Sequence, residues 1–150
     1  MRANLRASPS RCGDTGRAMS QENVEVVRRM YDAFHSGDAD EALGHFDRDV
    51  LVDASPARPD VAIGKGREHV SAVVGSWLAA WEEWGEEIEE MRDLGSRVLV
   101  LSVQRGRAKG SGAEMEARFA ILYDLYGGEI TGMRMYATPA DALEAVGLQD

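Results

Sequence analysis

The sequence predicts an α+β domain, a curled antiparallel sheet with helices from the N-terminal and central parts of the chain packed on it. Three observations carry this. Across about residues 98–137, three strand-like runs are separated by Gly-rich turns, and adjacent long strands twist and tend to curl. Val24, Val27, Met30, Tyr31 and Phe34 recur at three- and four-residue steps, giving an N-terminal helix one buried stripe. Val70, Val73, Val74, Trp77, Trp81 and Trp84 form the most apolar helical stripe of the chain, a face that must cover a sheet.

Taken in order, residues 1–18 have almost no large apolar side chain beyond Leu5 and cannot offset their ordering entropy by burial. They read as a disordered extension, with the domain spanning residues 19–150. The stretch lacks the apolar core of a secretory signal, and its Arg and Ser content weakly resembles a transit peptide. A floppy extension, or an upstream start with Met19 as the natural beginning, is the preferred reading. Ser20 is a good N-cap with Glu22 in the first turn, so the first helix is expected to start there and to end at Gly37. Asp38 and Glu41 have capping-box spacing and open a short helix burying Ala42, Leu43 and Phe46. Asp47 to Asp49 should break it, residues 50–53 read as a short strand, and Pro56 and Pro59 force an extended loop.

Residues 86–93 are ambiguous. Ile88, Met91 and Leu94 fit a helical spacing, whereas the acidic residues between them fit an exposed edge strand, and strand is the assignment taken. Residues 97–107 are a strand bounded by Gly95-Ser96 and by Gly110 and Gly112. The next run alternates, with Met115, Ala117, Phe119, Ile121, Tyr123 and Leu125 on one apolar face. Gly127-Gly128 suits the positive φ angles of a tight hairpin, and residues 130–137 return antiparallel. Thr138 as N-cap with Pro139 at the first helical position starts a last helix over 140–146, closed by Gly147.

Composition bounds the function. At 150 residues and 44% hydrophobic the chain makes one domain with a real core. No apolar run is long enough for a membrane span, so the protein is expected to be soluble and cytoplasmic. The single Cys12 makes no internal disulfide. Four Arg against one Asp make residues 1–18 +3, so of the net −9 the remaining 132 residues carry −12. That charge repels phosphate backbones, and nucleic-acid binding is disfavoured. There is no GxSxG, Walker A or CxxC pattern, and Gly64-x-Gly66-x-x-His69 lacks the third Gly of a dinucleotide fingerprint.

Several runs carry a family likeness. They are Asn23-Val-Glu-Val-Val-Arg-Arg-Met-Tyr-Asp-Ala-Phe34, Gly37-Asp38, Gly64-Lys-Gly-Arg67, Arg118-Phe119-Ala120, Gly128-Glu-Ile-Thr-Gly-Met-Arg-Met-Tyr136 and Ala142-Leu-Glu-Ala-Val-Gly147. Over about residues 20–148 the chain resembles the nuclear transport factor 2-like superfamily, and within it the SnoaL-like branch, named for a polyketide cyclase. The resemblance implies a cystatin-like α+β barrel, a cone-shaped curled sheet whose helices enclose an apolar pocket. Members use that pocket for isomerisation, cyclisation, dehydration or plain binding. Ketosteroid isomerases of the superfamily use a Tyr on the first helix, an Asp after the short strand and a protonated Asp on a ribbon strand. Those positions fall here on Met30, on Ala54 with Asp53 one residue before it, and on Ile121, where many SnoaL-like relatives carry His. The isomerase mechanism is therefore not supported.

Candidate chemistry rests on few residues. Asp53 at a strand end near the cone mouth is a candidate base, although a turn-capping Asp is the commoner case. Tyr31 is a candidate acid or hydrogen-bond donor, against a core Tyr bonded to backbone. Trp77 and Trp81 suit an aromatic wall and core packing equally. The expected pocket lining is Met30, Val73, Val74 and Trp77 from the helices, Met115, Ala117, Phe119, Ile121 and Tyr123 from one strand, and Met133 and Met135 from the next. His35, His45 and His69 read as solvated, and His45, Asp47, Asp49 and Asp53 do not share one face, so no metal site is expected. Arg105, Arg107 and Arg118 should form cross-strand ion pairs with Glu114 and Glu116, and Glu82 to Glu90 read as a solvated edge. Leu99, Leu101 and Val103 on the outer face call for a cover, for which a second copy in a homodimer is the simplest choice. The preferred reading is a domain that binds a small hydrophobic metabolite without cofactor or catalysis. The alternative is a cofactor-independent isomerase, cyclase or dehydratase acting on a small hydrophobic or polyketide-like substrate.

Overall fold

In a computed structural model, the structure describes residues 12–147. Helix α1 (Cys12–His35) starts ahead of Ser20, and no Pro interrupts this span, so nothing obliges the helix to begin at the capping residue. Residues 1–11 of the expected extension lie outside the described residues. Val27, Met30 and Tyr31 form the buried stripe of α1, as their spacing predicts. Gly37, at φ 89°, makes the turn into α2 (Ala39–Gly44). There Asp38 accepts from the Glu41 backbone N–H at 3.1 Å, while the Glu41 carboxylate bonds His45 Nε2 at 3.0 Å instead of closing the reciprocal half of the capping box.

Six strands follow in one sheet: β1 (Phe46–Asp53), β2 (Gly64–Lys65), β3 (Trp81–Asp93), β4 (Arg97–Ala108), β5 (Glu114–Tyr126) and β6 (Glu129–Tyr136). Their spatial order is β2-β1-β6-β5-β4-β3, an open, curled sheet. All neighbours are antiparallel except β1 and β6, which run parallel. Strand β1 begins at Phe46, ahead of the expected start at Val50, so Phe46 is buried from the strand and not from the short helix, and Asp47 to Asp49 lie on β1. Pairing of Phe46 with Ile130 carries the strand through the acidic stretch, and a register irregularity between Phe46 and Leu51 absorbs it.

The central helix differs more. Helix α3 (Arg67–Leu78) ends before Trp81, so Trp77 is helical while Trp81 and Trp84 lie on β3. The helix-like spacing of Trp81 and Trp84 has another cause. The register between β3 and β4 slips between Trp81 and Glu83, and one extra residue converts the strand's two-residue repeat into a three-residue step. A second slip between Ile88 and Glu90 does the same for Ile88 and Met91, both of which pack on the main core. The strand assignment for 86–93 holds, and the bulges explain why the same residues fitted a helix.

Two apolar clusters sit on opposite faces of the sheet. The concave face of β4 and β5, with Val98, Val100, Ile121 and Tyr123, packs with α1, α3 and β1. On the convex face Leu99, Leu101, Ala120 and Leu122 are covered by Ala142 and Leu143 of the last helix, α4 (Pro139–Ala145). Thr138 caps α4 through a 3.1 Å bond from the Asp141 N–H, with Pro139 at its start, as the sequence predicts. The outer leucines that were expected to need a second copy are thus covered within the chain. Among the described residues no helix is long and apolar enough to cross a membrane.

Candidate binding cavity

Between α1, α2, α3 and the concave sheet lies a cavity of about 270 Å³. An apolar cavity of about 150 Å³ holds one benzene, so this one suits a body of about two fused rings. Its walls are built by position in the fold. Helix α1 contributes Met30, Tyr31 and Phe34, α3 contributes Val70, Val73, Val74 and Trp77, and β5 and β6 contribute Ile121, Tyr123, Met133 and Met135. Eight of the eleven residues expected to line the pocket do so. Met115, Ala117 and Phe119 do not. They share the face of Ile121 and Tyr123 but lie farther along β5, half-buried and outside the cavity lining. Phe119 packs edge-on against Trp77 at 5.7 Å, and Met115 lines a separate surface cleft with Arg105 and Glu116.

The polar part of the wall is concentrated. Tyr31 and Tyr123 are both buried and their hydroxyls are 2.6 Å apart, so the partner of Tyr31 is another side chain and not backbone. Burial raises the pKa of both tyrosines above its ordinary value. Tyr123 and the negative charge of Glu86 push Tyr31 further up, and Glu86 also acts on Tyr123 against the lowering effect of the shared hydrogen bond. Both stay neutral donors and acceptors. Two hydroxyls joined by one bond use one of their two protons, so one O–H remains to donate.

Glu86 is the finding that overturns a sequence expectation. It sits in the acidic run read as a solvated edge, yet its side chain is only 4% exposed and lines the cavity. His35 Nε2 lies 2.7 Å from one of its oxygens, and the Ser102 hydroxyl (2.6 Å) and the Gln104 amide (3.3 Å) donate to the other. Gln104 in turn accepts from the indole N–H groups of Trp77 at 2.8 Å and Trp84 at 3.1 Å. His35 was expected to be solvated, but it closes this network from the outer side at 33% exposure. The signal was present in the sequence: Trp84, Glu86 and Ile88 alternate, and two apolar neighbours on one face imply that the carboxylate between them faces inward too.

Asp53 is placed elsewhere. It accepts from the backbone N–H and hydroxyl of Ser55 at 3.0 and 2.6 Å and pairs with Arg134 at 3.5 Å, the geometry of a turn-capping Asp, and it does not line the cavity. Ala54 is fully buried beside it. His45 bonds Glu41 and His69 donates to the Ala62 carbonyl at 2.8 Å, while Asp47 caps the Asp49 N–H. The outer ladder forms as expected in kind: Arg105 pairs with Glu116, whereas Arg107 reaches Glu83 and Arg118 reaches Glu89 on the neighbouring β3.

A family model described as "SnoaL-like domain" matches residues 27–133. Uncharacterized protein Rv0034 of Mycobacterium tuberculosis is 31% identical over 121 residues, covering 79% of this chain and 91% of that protein. Among solved structures, a nuclear transport factor 2-like protein of unknown function from Burkholderia pseudomallei superposes with a TM-score of 0.69 at 21% identity, over 82% of this chain and 95% of that one. Rv0760c from Mycobacterium tuberculosis, in complex with estradiol-17beta-hemisuccinate, superposes with a TM-score of 0.61 at 23% identity, over 77% and 92%.

Proposed function

The chain belongs to the SnoaL-like domain family, and we propose that it is a cytoplasmic binding protein whose cavity takes a small hydrophobic molecule, without need of a cofactor and without catalysis. The observation that carries this is the cavity itself, largely apolar and about 270 Å³, with its polar groups gathered at Tyr31, Tyr123, Glu86 and Gln104. Sites for small molecules have this composition: apolar walls supply affinity and a few polar groups fix orientation. Met30, Met133 and Met135 let the walls adapt to more than one shape. The steroid derivative held by Rv0760c is in keeping with such a role. The test is a metabolite pull-down read by mass spectrometry, with Val74→Trp as a cavity-filling control. A small apolar compound should co-purify with the wild type and be lost in Val74→Trp. Recovery of the same compounds from both would refute the reading.

A second reading is favoured by one observation. Two titratable hydroxyls and a carboxylate, Tyr31, Tyr123 and Glu86, converge on one cavity, which is what a cofactor-independent isomerase, cyclase or dehydratase needs. In that reading Tyr31 is the acid and Glu86, not Asp53, is the base. Turnover of a co-purified compound, lost in Glu86→Gln, would move the assignment to an enzyme.

Homodimer formation also remains a proposal, on a narrower basis than the outer leucines. One surface open to a second copy is the charged ladder of Arg105, Glu116, Arg118 and Glu89. Sedimentation at micromolar concentration showing only a species near 16.4 kDa would dismiss it.

A further inference from the structure

We propose that the ligand of this cavity carries a protonated amine on its apolar body, with the ammonium seated against Glu86. The inference rests on the reading of the cavity as a binding site and names the chemical class that the site selects. Among the described residues lining the cavity there is no Lys, Arg or His, and Glu86 is the one carboxylate. A carboxylate offers about four acceptor positions on its two oxygens. Three are occupied, by Ser102 and the Gln104 amide on one oxygen and by His35 on the other, which leaves one free position, on the oxygen that His35 bonds, in a side chain that lines the cavity. The side chain is nearly removed from water, so a cation beside it meets a field little screened by solvent.

The rest of the wall points the same way. Tyr31, Phe34, Phe46, Trp77, Trp84 and Tyr123 all line the cavity, and the faces of aromatic rings, Trp above all, attract cations. Gln104 holds the two indole N–H groups, so both tryptophans are fixed relative to the carboxylate they surround. The same negative charge opposes ionisation of Tyr31 and Tyr123, and it would equally oppose an anionic ligand beside them. The positive groups near the site lie outside the cavity lining: Arg58 sits over the Trp77 ring at 5.5 Å and is held by the Val73 carbonyl and Ser76, so the ring face it covers is taken and the other aromatic rings are left for a ligand. His35 touches Glu86 from the outer cleft and does not line the cavity, and Arg28 in that cleft is paired with Glu25 at 3.3 Å on its own helix.

Three bicyclic probes of one shape and different charge test this by calorimetry on the full chain: 1-naphthylmethylamine, 1-naphthalenemethanol and 1-naphthoic acid. The amine should bind about tenfold or more tighter than the alcohol, and the acid at least about tenfold weaker than the alcohol. Glu86→Gln should collapse the amine-to-alcohol ratio to about one. If the wild type binds amine and alcohol alike, or if the ratio survives in Glu86→Gln, the inference is overturned while the cavity reading stands. If none of the three binds, the cavity reading falls and the inference with it. The wild-type ranking decides by itself should Glu86→Gln fail to fold.

Discussion

The two halves of the β4 and β5 ribbon have the same alternating pattern and different fates. In the proximal half, Val98 to Gln104 on β4 and Ala120 to Tyr123 on β5 are buried on both faces, by the cavity helices inside and by α4 outside. In the distal half, from Arg105 on β4 and back to Glu114 on β5, the apolar face is only half-buried and the other carries an exposed ladder of Arg and Glu. Alternation tells which face a side chain is on. It does not tell how far the covering helices reach, and Ile121 and Ala117, on one face of one strand, differ for that reason alone.

The same charge placed in both halves should have unequal effects. Ile121→Asp should destabilise the fold by about 3–5 kcal/mol, because it removes a buried aliphatic chain and puts a carboxyl into an apolar wall. Ala117→Asp should cost about 1 kcal/mol or less in the same denaturant titration. Equal losses would mean the two halves are not differently covered. Next in size is Leu143→Ala, expected to cost about 2–4 kcal/mol by opening the contact between α4 and the convex face. A loss below about 1 kcal/mol would indicate that something other than α4 covers the outer leucines.

Tyr123→Phe should cost about 1–3 kcal/mol, since it leaves the Tyr31 hydroxyl buried without its partner. The double variant Tyr31→Phe with Tyr123→Phe should lose less than the two single losses added, and an additive cycle would show the pair to be uncoupled. The same pair sets an alkaline limit. Both folded pKa values lie above the ordinary 10.0, so below about pH 10 each phenol is protonated in folded and unfolded chains alike. Above it the unfolded chain releases protons that the folded chain keeps, and stability falls by up to about 1.4 kcal/mol per pH unit for each phenol. Of the four tyrosines, Tyr31 and Tyr123 should show phenolate absorbance only as the protein unfolds. The smallest effect belongs to the distal ladder: Arg105→Ala should change stability by about 0.5 kcal/mol or less, because both partners of the Glu116 pair are more than half exposed.

Although α1 starts ahead of Ser20 and α3 ends before Trp81, the amino-acid sequence specifies most element types, the ribbon hairpins and the caps of α2 and α4. Those depend on local chemistry: Thr138-Pro139 at a helix start, Gly127-Gly128 between strands, the stripe of Val27, Met30 and Tyr31. It also identified eight cavity residues, because facing is periodic and periodicity is local. It misplaced Trp81 and Trp84, since a strand bulge produces the same three-residue step as a helix and only pairing with β4 distinguishes them. The chemistry of the site depends on contacts between residues far apart along the chain. Asp53 had the expected residue type but is held by Ser55 and Arg134, whereas Glu86, in a run of acids that looks solvated, is brought against His35, Ser102 and Gln104 from three other elements or strand positions. A carboxylate's role depends on which distant groups reach it, and no spacing along the chain records that.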